Sequence, residues 1–348
     1  MPRPHHTAAA AFACAALTTG GCQLTGPDTL RPADAAGFPA LVLQHNDTRA
    51  LVMLPDPERG WYRGTRFAWH GMIRQLEHRG HSFFGYLHAE HNPTHHDAVS
   101  GPAPEFDITG PASFHDASPG ESFVKIGVGR LQRDDNERYR FWHKYPILDH
   151  GQWHVDQPTP DTITMRQTLP AGDDGYAYEL TQQLRLSSTG LEITYELHNT
   201  GQRAIATEFY HHNFFSLDSA PVGPGYELAL PASAQPDADA DLEPWAELAT
   251  PEDDQSPPVL RWREPLPPGE AIYVQPHGFD HDSRFRFALR HVDTGLVVTK
   301  LGQRPLHRLA VWSSQPVICP EPFVMIELDP GEREQWAVRY IFSANDDQ

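Results

Sequence analysis

Two short segments of this chain carry side chains that could move protons: Glu208-Phe-Tyr-His-His-Asn-Phe-Phe-Ser-Leu-Asp218 and Ile318-Cys-Pro-Glu-Pro-Phe323. Each sets titratable groups inside an otherwise apolar, strand-like run, with His211 and His212 in the first and Glu321 in the second. Burial raises a carboxylate's pKa toward neutrality, and an imidazole titrates there already. A half-buried pair of this kind can therefore take a proton from one atom of a small molecule and give one to another. A histidine or glutamate in a strand is more often a satisfied structural residue, so the weight falls on the company these residues keep.

The elements that must position them read as strands. Ala40 to Gln44 and Ala50 to Leu54 flank a turn at Asn46-Asp47, and Phe123 to Val128 follows Pro119-Gly120. Tyr139 to Tyr145 is an aromatic-rich strand candidate, and Thr162 to Leu169 alternates. Tyr176 to Leu186 and Leu191 to His198 form a meander around Ser188-Thr-Gly190. Further strands are expected at 271–275, 285–291, 296–300, 309–313, 324–328 and 335–342. Between Pro231 and Pro258 the composition turns to Ala, Asp, Glu and Pro, which reads as an acidic surface excursion. The simplest account is all-β, one large antiparallel β-sandwich.

Composition sets bounds. The 348 residues carry 27 basic and 46 acidic side chains, a formal charge of −19, which argues against nucleic acid and anionic membrane surfaces as partners. Lysine occurs only at 125, 144 and 300, while proline reaches 33, as suits strands joined by loops. No Rossmann or P-loop glycine pattern is present, and no cofactor is expected. The start of the chain reads as a targeting segment: Arg3, the apolar run Thr7 to Thr19, then Thr19-Gly-Gly-Cys22. Small residues before Cys22 are similar to a bacterial lipobox. The expectation is a signal peptide over 1–22 with lipidation at Cys22, a tether over 23–39 and one folded domain over 40–345. That implies an exported protein, periplasmic or held at the outer membrane by its lipid alone. The folded part then holds only Cys319, whose neighbours Val317 and Ile318 mark it as a packing residue.

Several segments, in order, resemble the galactose mutarotase-like superfamily, which includes the aldose 1-epimerases. They are Tyr62-Arg63-Gly64-Thr65-Arg66-Phe67, His96-Asp-Ala-Val-Ser-Gly-Pro102, His198-Asn199-Thr200-Gly201, His211-His212-Asn213-Phe214-Phe215, Glu321, and Leu328-Asp-Pro-Gly-Glu332 before the final aromatic strand Trp336 to Phe342. Two departures stand out: the usual asparagine before the histidine is His211, and a longer region, His88 to Pro102, replaces the usual His-Gly-Gly loop. The resemblance implies the β-supersandwich fold and a divergent branch with a carbohydrate ligand.

It further implies anomer interconversion by ring opening, with Glu321 as general base and His212 as general acid. Pro320 and Pro322 would stiffen the backbone at Glu321. The resemblance makes Arg66 a donor to sugar oxygens and His96 the second histidine. It offers Asp280 as a carboxylate for sugar hydroxyls, although Asp280 equally suits an Asx turn. Trp69 is a candidate stacking platform. His88, His91, His95 and His96 crowd nine residues, but Pro93 breaks any helix and the spacing is not that of a zinc motif, so a solvated or substrate-facing loop is favoured over a metal site. Two other functions remain open: a sugar-binding lipoprotein without turnover, and a polysaccharide lyase or hydrolase on a related sandwich.

Overall fold

A computed structural model describes residues 35–235, 242–249, 256–279 and 284–344. The expected signal peptide, Cys22 and most of the tether lie outside the described residues, as does Asp280. Two antiparallel sheets dominate the rest. The larger has ten strands, and Leu296–Pro305, Arg333–Ser343, Gly190–Asn199 and Tyr178–Ser187 lie side by side at its middle. The smaller has five, in the order Ala271–Val274, Arg308–Ser314, Val317–Leu328, Ile205–Asn213 and Pro102–Phe106. A four-stranded and a three-stranded sheet complete the set among the described residues.

The meander forms because its apolar residues alternate. Tyr178, Leu180, Leu184 and Leu186 on one strand, and Leu191, Ile193, Tyr195 and Leu197 on the next, are buried on one face. Ser187 pairs with Gly190, leaving a two-residue turn between them. Asn46-Asp47 likewise closes the first hairpin, with Asn46 at a φ of 49°, a conformation asparagine tolerates. The core between the large sheets joins Tyr195, Trp336 and Leu197 to Phe209, Val311 and Ile326.

Period two then decides where the candidate residues point. On Ile205–Asn213, Phe209 and His211 face the inter-sheet core, where Phe209 packs on Tyr195 and Trp336 with ring centroids 4.9 and 5.1 Å apart. Tyr210 and His212 face the other way. There, long segments of the chain fold back over the sheet and bring a second aromatic cluster, including Trp61, Tyr62, Phe67 and Trp69.

Tyr139 to Tyr145, expected as a strand, is a loop. Its tyrosines stack at 5.4 Å and pack on Phe114 and Phe123, so the aromatic density reflects a core beneath a loop rather than a pleated face. The acidic excursion contains a short strand, Ala246–Ala249, which pairs with Val259–Trp262 to form one edge of the ten-stranded sheet. Val317–Leu328 is one unbroken strand that runs through both prolines, longer than the expected 324–328. Met72–His78 and Gln152–Thr159 are strands that the residue pattern did not reveal.

His70 lies wholly buried between Trp153 and Tyr195, and neither ring nitrogen has a hydrogen-bond partner among the described residues. Burial pushes its imidazole down to about 3. The unfolded chain takes up this proton near pH 6.5 and the folded chain does not, so stability falls as pH drops from about 6.5 toward 3, on the order of a few kcal/mol. Urea titrations across this range are expected to show a shallower acid decline for His70→Phe than for the wild type. Identical slopes would show that His70 does not titrate in this way.

Candidate active site

His212 Nε2 and Glu321 Oε1 stand 2.9 Å apart, and both side chains are almost fully buried. Strand register sets them directly opposite each other, in a stretch where the ladder hydrogen bonds are missing. The two strands pair regularly from Ile205 and Leu328 to Phe209 and Val324. They meet again where Phe215 and Ile318 exchange amide-to-carbonyl hydrogen bonds of 3.0 and 3.1 Å. Amides at alternate positions of a strand point the same way, so residues 320 and 322 share the direction of the Ile318 amide. Both are prolines and have no N–H to donate. The Asn213 side-chain amide donates to the Pro320 carbonyl in place of a ladder bond. On its other side Val317–Leu328 keeps its full ladder with Arg308–Ser314.

The two histidines differ in surroundings. His211 receives the Tyr195 hydroxyl at Nε2 (2.7 Å), because Gln182 already donates to that oxygen. Its Nδ1 lies 3.2 Å from both Lys300 Nζ and the Tyr340 hydroxyl, and the Tyr340 hydroxyl donates to Asn213 Oδ1 at 2.7 Å. Burial, reinforced by the nearby Lys300 charge, pushes the His211 imidazole well below its ordinary value, so it stays neutral. Burial likewise pushes Lys300 well down. His212 stacks on Phe214 at 4.4 Å and meets Trp312 edge-on at 5.8 Å.

Around the pair is a cavity of about 740 Å³. Arg66, His96, Asp97, Phe141 and Trp312 line it with His212 and Glu321, as do Glu208, Arg308, Tyr273 and Gln275. Arg66 is held on all sides. Its Nε donates to Glu105 (2.9 Å), Nη1 to Asp97 and Nη2 to the Tyr210 hydroxyl (3.3 Å), while Phe67 and Phe141 cover its faces at 4.4 and 4.3 Å. Burial pulls against the Arg66 charge, but the Glu105 carboxylate more than restores it. His96 Nε2 lies 3.0 Å from Asp97 Oδ2. Burial pushes the Asp97 carboxyl up, yet the His96 hydrogen bond and the Arg66 charge outweigh it and keep Asp97 ionised. Glu105 also accepts from Tyr210 and faces Lys125 at 3.5 Å. The outcome is a buried lattice of matched charges with a carboxylate–imidazole pair open to the cavity.

Four residues named from the sequence, His212, Glu321, Arg66 and His96, thus meet at one cavity. Trp69 does not reach it: its indole N–H donates to the Gly64 carbonyl and its ring stacks on Trp153. His91 is tied to the Trp61 carbonyl and the Tyr86 hydroxyl through its two nitrogens, so it is not a free ligand for a metal. Cys319 is fully buried, and burial pushes its thiol well up, as a packing residue requires. Asp97, Glu105, Tyr210 and the Glu208–Arg308 pair were not identified from the residue pattern. Glu105 carried a usable signal, since Pro102-Ala-Pro-Glu-Phe106 is a lone carboxylate in an apolar, proline-flanked strand, like Glu321.

The chain has the galactose mutarotase-like fold. It matches the Slr1438 protein of Synechocystis sp. PCC 6803 with a TM-score of 0.54 at 14% identity, over 88% of this chain and 96% of that one. A galactose mutarotase-like protein from Clostridium acetobutylicum matches at 0.52 and 12%, over 87% and 94%. A galactose mutarotase related enzyme from Lactobacillus acidophilus matches at 0.50 and 12%, over 87% and 97%. At such identities the likeness is one of fold. No protein-family model and no curated protein matches the sequence.

Glu105→Leu removes the carboxylate that Arg66, Tyr210 and Lys125 share and leaves buried cations unmatched. A loss of about 3–5 kcal/mol is expected in denaturant unfolding. A change below ~1 kcal/mol would mean that the lattice does not depend on this residue.

Proposed function

We propose that this protein interconverts the anomers of free aldoses by acid–base ring opening. The observation that carries the reading is the His212–Glu321 pair, 2.9 Å apart on the wall of a cavity large enough for a sugar. In a cyclic aldose the anomeric hydroxyl oxygen and the ring oxygen are bonded to the same carbon. A base for one and an acid for the other must therefore stand side by side on one wall, within several ångströms of each other, as these two side chains do.

Glu321 accepts the proton of the anomeric hydroxyl, and the oxygen's electron pair forms the aldehyde C=O. The bond from C1 to the ring oxygen breaks, and its electron pair takes the proton from His212 Nε2. The open chain turns about C1–C2, and the same steps run in reverse, His212 as base and Glu321 as acid, to close the ring on the other face. Protons and electrons balance over the cycle, and both residues regain their starting states. His96 and Asp97 suit hydroxyl recognition, one donating and the other accepting, while Arg66 fixes Asp97 in place. Phe141 and Trp312 offer apolar faces for the sugar's C–H surface.

Saturation-transfer NMR of α/β exchange on free glucose, galactose and other aldoses tests the reading. The wild type is expected to exceed the spontaneous rate. Glu321→Gln and His212→Ala are each expected to lower the enzymatic rate about 10²–10⁴-fold while remaining folded. No acceleration on any aldose by folded wild type would refute catalysis and favour a sugar-binding protein.

A further inference from the structure

The ten-stranded sheet turns Phe287, Lys300 and Tyr340 inward and the residues between them outward. Five neighbouring strands each place one side chain in a row across the outward face. Register pairs Arg286 with Leu301, Leu301 with Arg339, Arg339 with Glu192, and Glu192 with Arg185. Strands two apart are separated by about 10 Å, so a group on the middle strand can bond arginines on both sides. One half of the row does this: Glu192 accepts from Arg185 and from Arg339, each at 2.9 Å. In the other half Leu301 holds the place between Arg286 and Arg339 and brings no carboxylate.

A groove of about 350 Å³ lies there, lined by Arg284, Arg286, Arg339 and Glu192, with Leu301 and Ala337 among its apolar residues. Neither Arg284 nor Arg286 has an ion-pair partner among the described residues. Arg166, Arg185, Arg261, Arg333 and Arg339, on the same sheet, each stand 3.8 Å or less from a carboxylate. In a chain with 46 acidic and 27 basic residues, unmatched guanidiniums in one groove run against the composition. Three guanidiniums against one carboxylate leave two positive charges, the complement of a dianion. Guanidinium forks match phosphate oxygens, and the apolar residues suit an organic body attached to them.

We propose that this groove binds a phosphomonoester with an apolar body. The phosphate lies over Leu301 between Arg286 and Arg339, as the Glu192 carboxylate lies between Arg339 and Arg185, and Arg284 adds a third cation. The face is turned away from the five-stranded sheet that carries His212 and Glu321, so the site stands whether or not the protein opens sugar rings.

Calorimetric titration with phenyl phosphate, benzoate and inorganic phosphate tests this at about pH 7.5, where the ester carries nearly two charges. Phenyl phosphate is expected to bind wild type about tenfold more tightly than benzoate, which has one charge, or inorganic phosphate, which has no apolar body. Arg286→Gln and Leu301→Glu, checked by thermal melts for retained fold, are each expected to lose most of that binding. Arg166→Gln makes the same change in net charge elsewhere on the face and is expected to keep it. Leu301→Glu is the sharpest arm, because it fills the place with a carboxylate while leaving every arginine present. Absence of phenyl phosphate binding overturns the proposal, as does binding no tighter than that of either comparison anion. Binding that survives Arg286→Gln or Leu301→Glu, or that falls equally in Arg166→Gln, overturns it too.

Discussion

The site depends on the register between two central strands, which sets His212 opposite Glu321 and holds across two missing backbone donors. Pro320 and Pro322 direct no N–H toward Ile205–Asn213, so the ladder between the two central strands stops after Val324 and resumes only at Ile318. An unbroken ladder would satisfy the backbone across this stretch without help from side chains. With the donors gone, the Asn213 side chain bridges to Pro320, and the neighbouring His212 and Glu321 side chains reach each other across the same interval. The full ladder to Arg308–Ser314 keeps the Glu321 strand straight despite the break, so the side chains have a rigid base.

Behind the break runs a chain of hydrogen bonds through the core. Gln182 donates to Tyr195, Tyr195 to the neutral His211, His211 Nδ1 faces Tyr340, and Tyr340 donates to Asn213. It starts in the middle of the ten-stranded sheet and ends at the amide that bridges to Pro320. Buried polar groups of this kind are costly unless satisfied, and here the links from Tyr195 to Asn213 each meet a partner, while Gln182 Oε1 has none among the described residues. In front of the sheet, Arg66 plays the corresponding part, anchored by Glu105 and Tyr210 and holding Asp97 at the cavity. The reactive pair thus sits between two polar frameworks, one neutral and one charged.

Much of this was legible in the sequence where a residue's signal is local. Alternation gave the meander, Asn46-Asp47 gave the turn of the first hairpin, and the apolar setting of His212 and Glu321 marked both as unusual. Deciding between His211 and His212 needed the strand's facing, although the ordered segments resembling mutarotases had already singled out His212. What stayed hidden were residues whose meaning is relational. Asp97 gains its role from Arg66, thirty-one positions away, and Glu208 from Arg308, one hundred positions away. Tyr139 to Tyr145 misled because aromatic residues crowd a loop-covered core as readily as a strand. The edge strand Ala246–Ala249 is acidic and half-exposed, without the apolar alternation by which a buried strand is recognised.

A shared fold does not by itself confer chemistry; the argument for this chain rests on where the acid and base meet an anomeric centre. The most direct measurement is a crystal structure of Glu321→Gln soaked with an aldose. The account predicts the anomeric hydroxyl at about 3 Å from the residue 321 side chain and the ring oxygen at about 3 Å from His212 Nε2. A sugar bound in the cavity with its anomeric carbon turned away from both residues would contradict it.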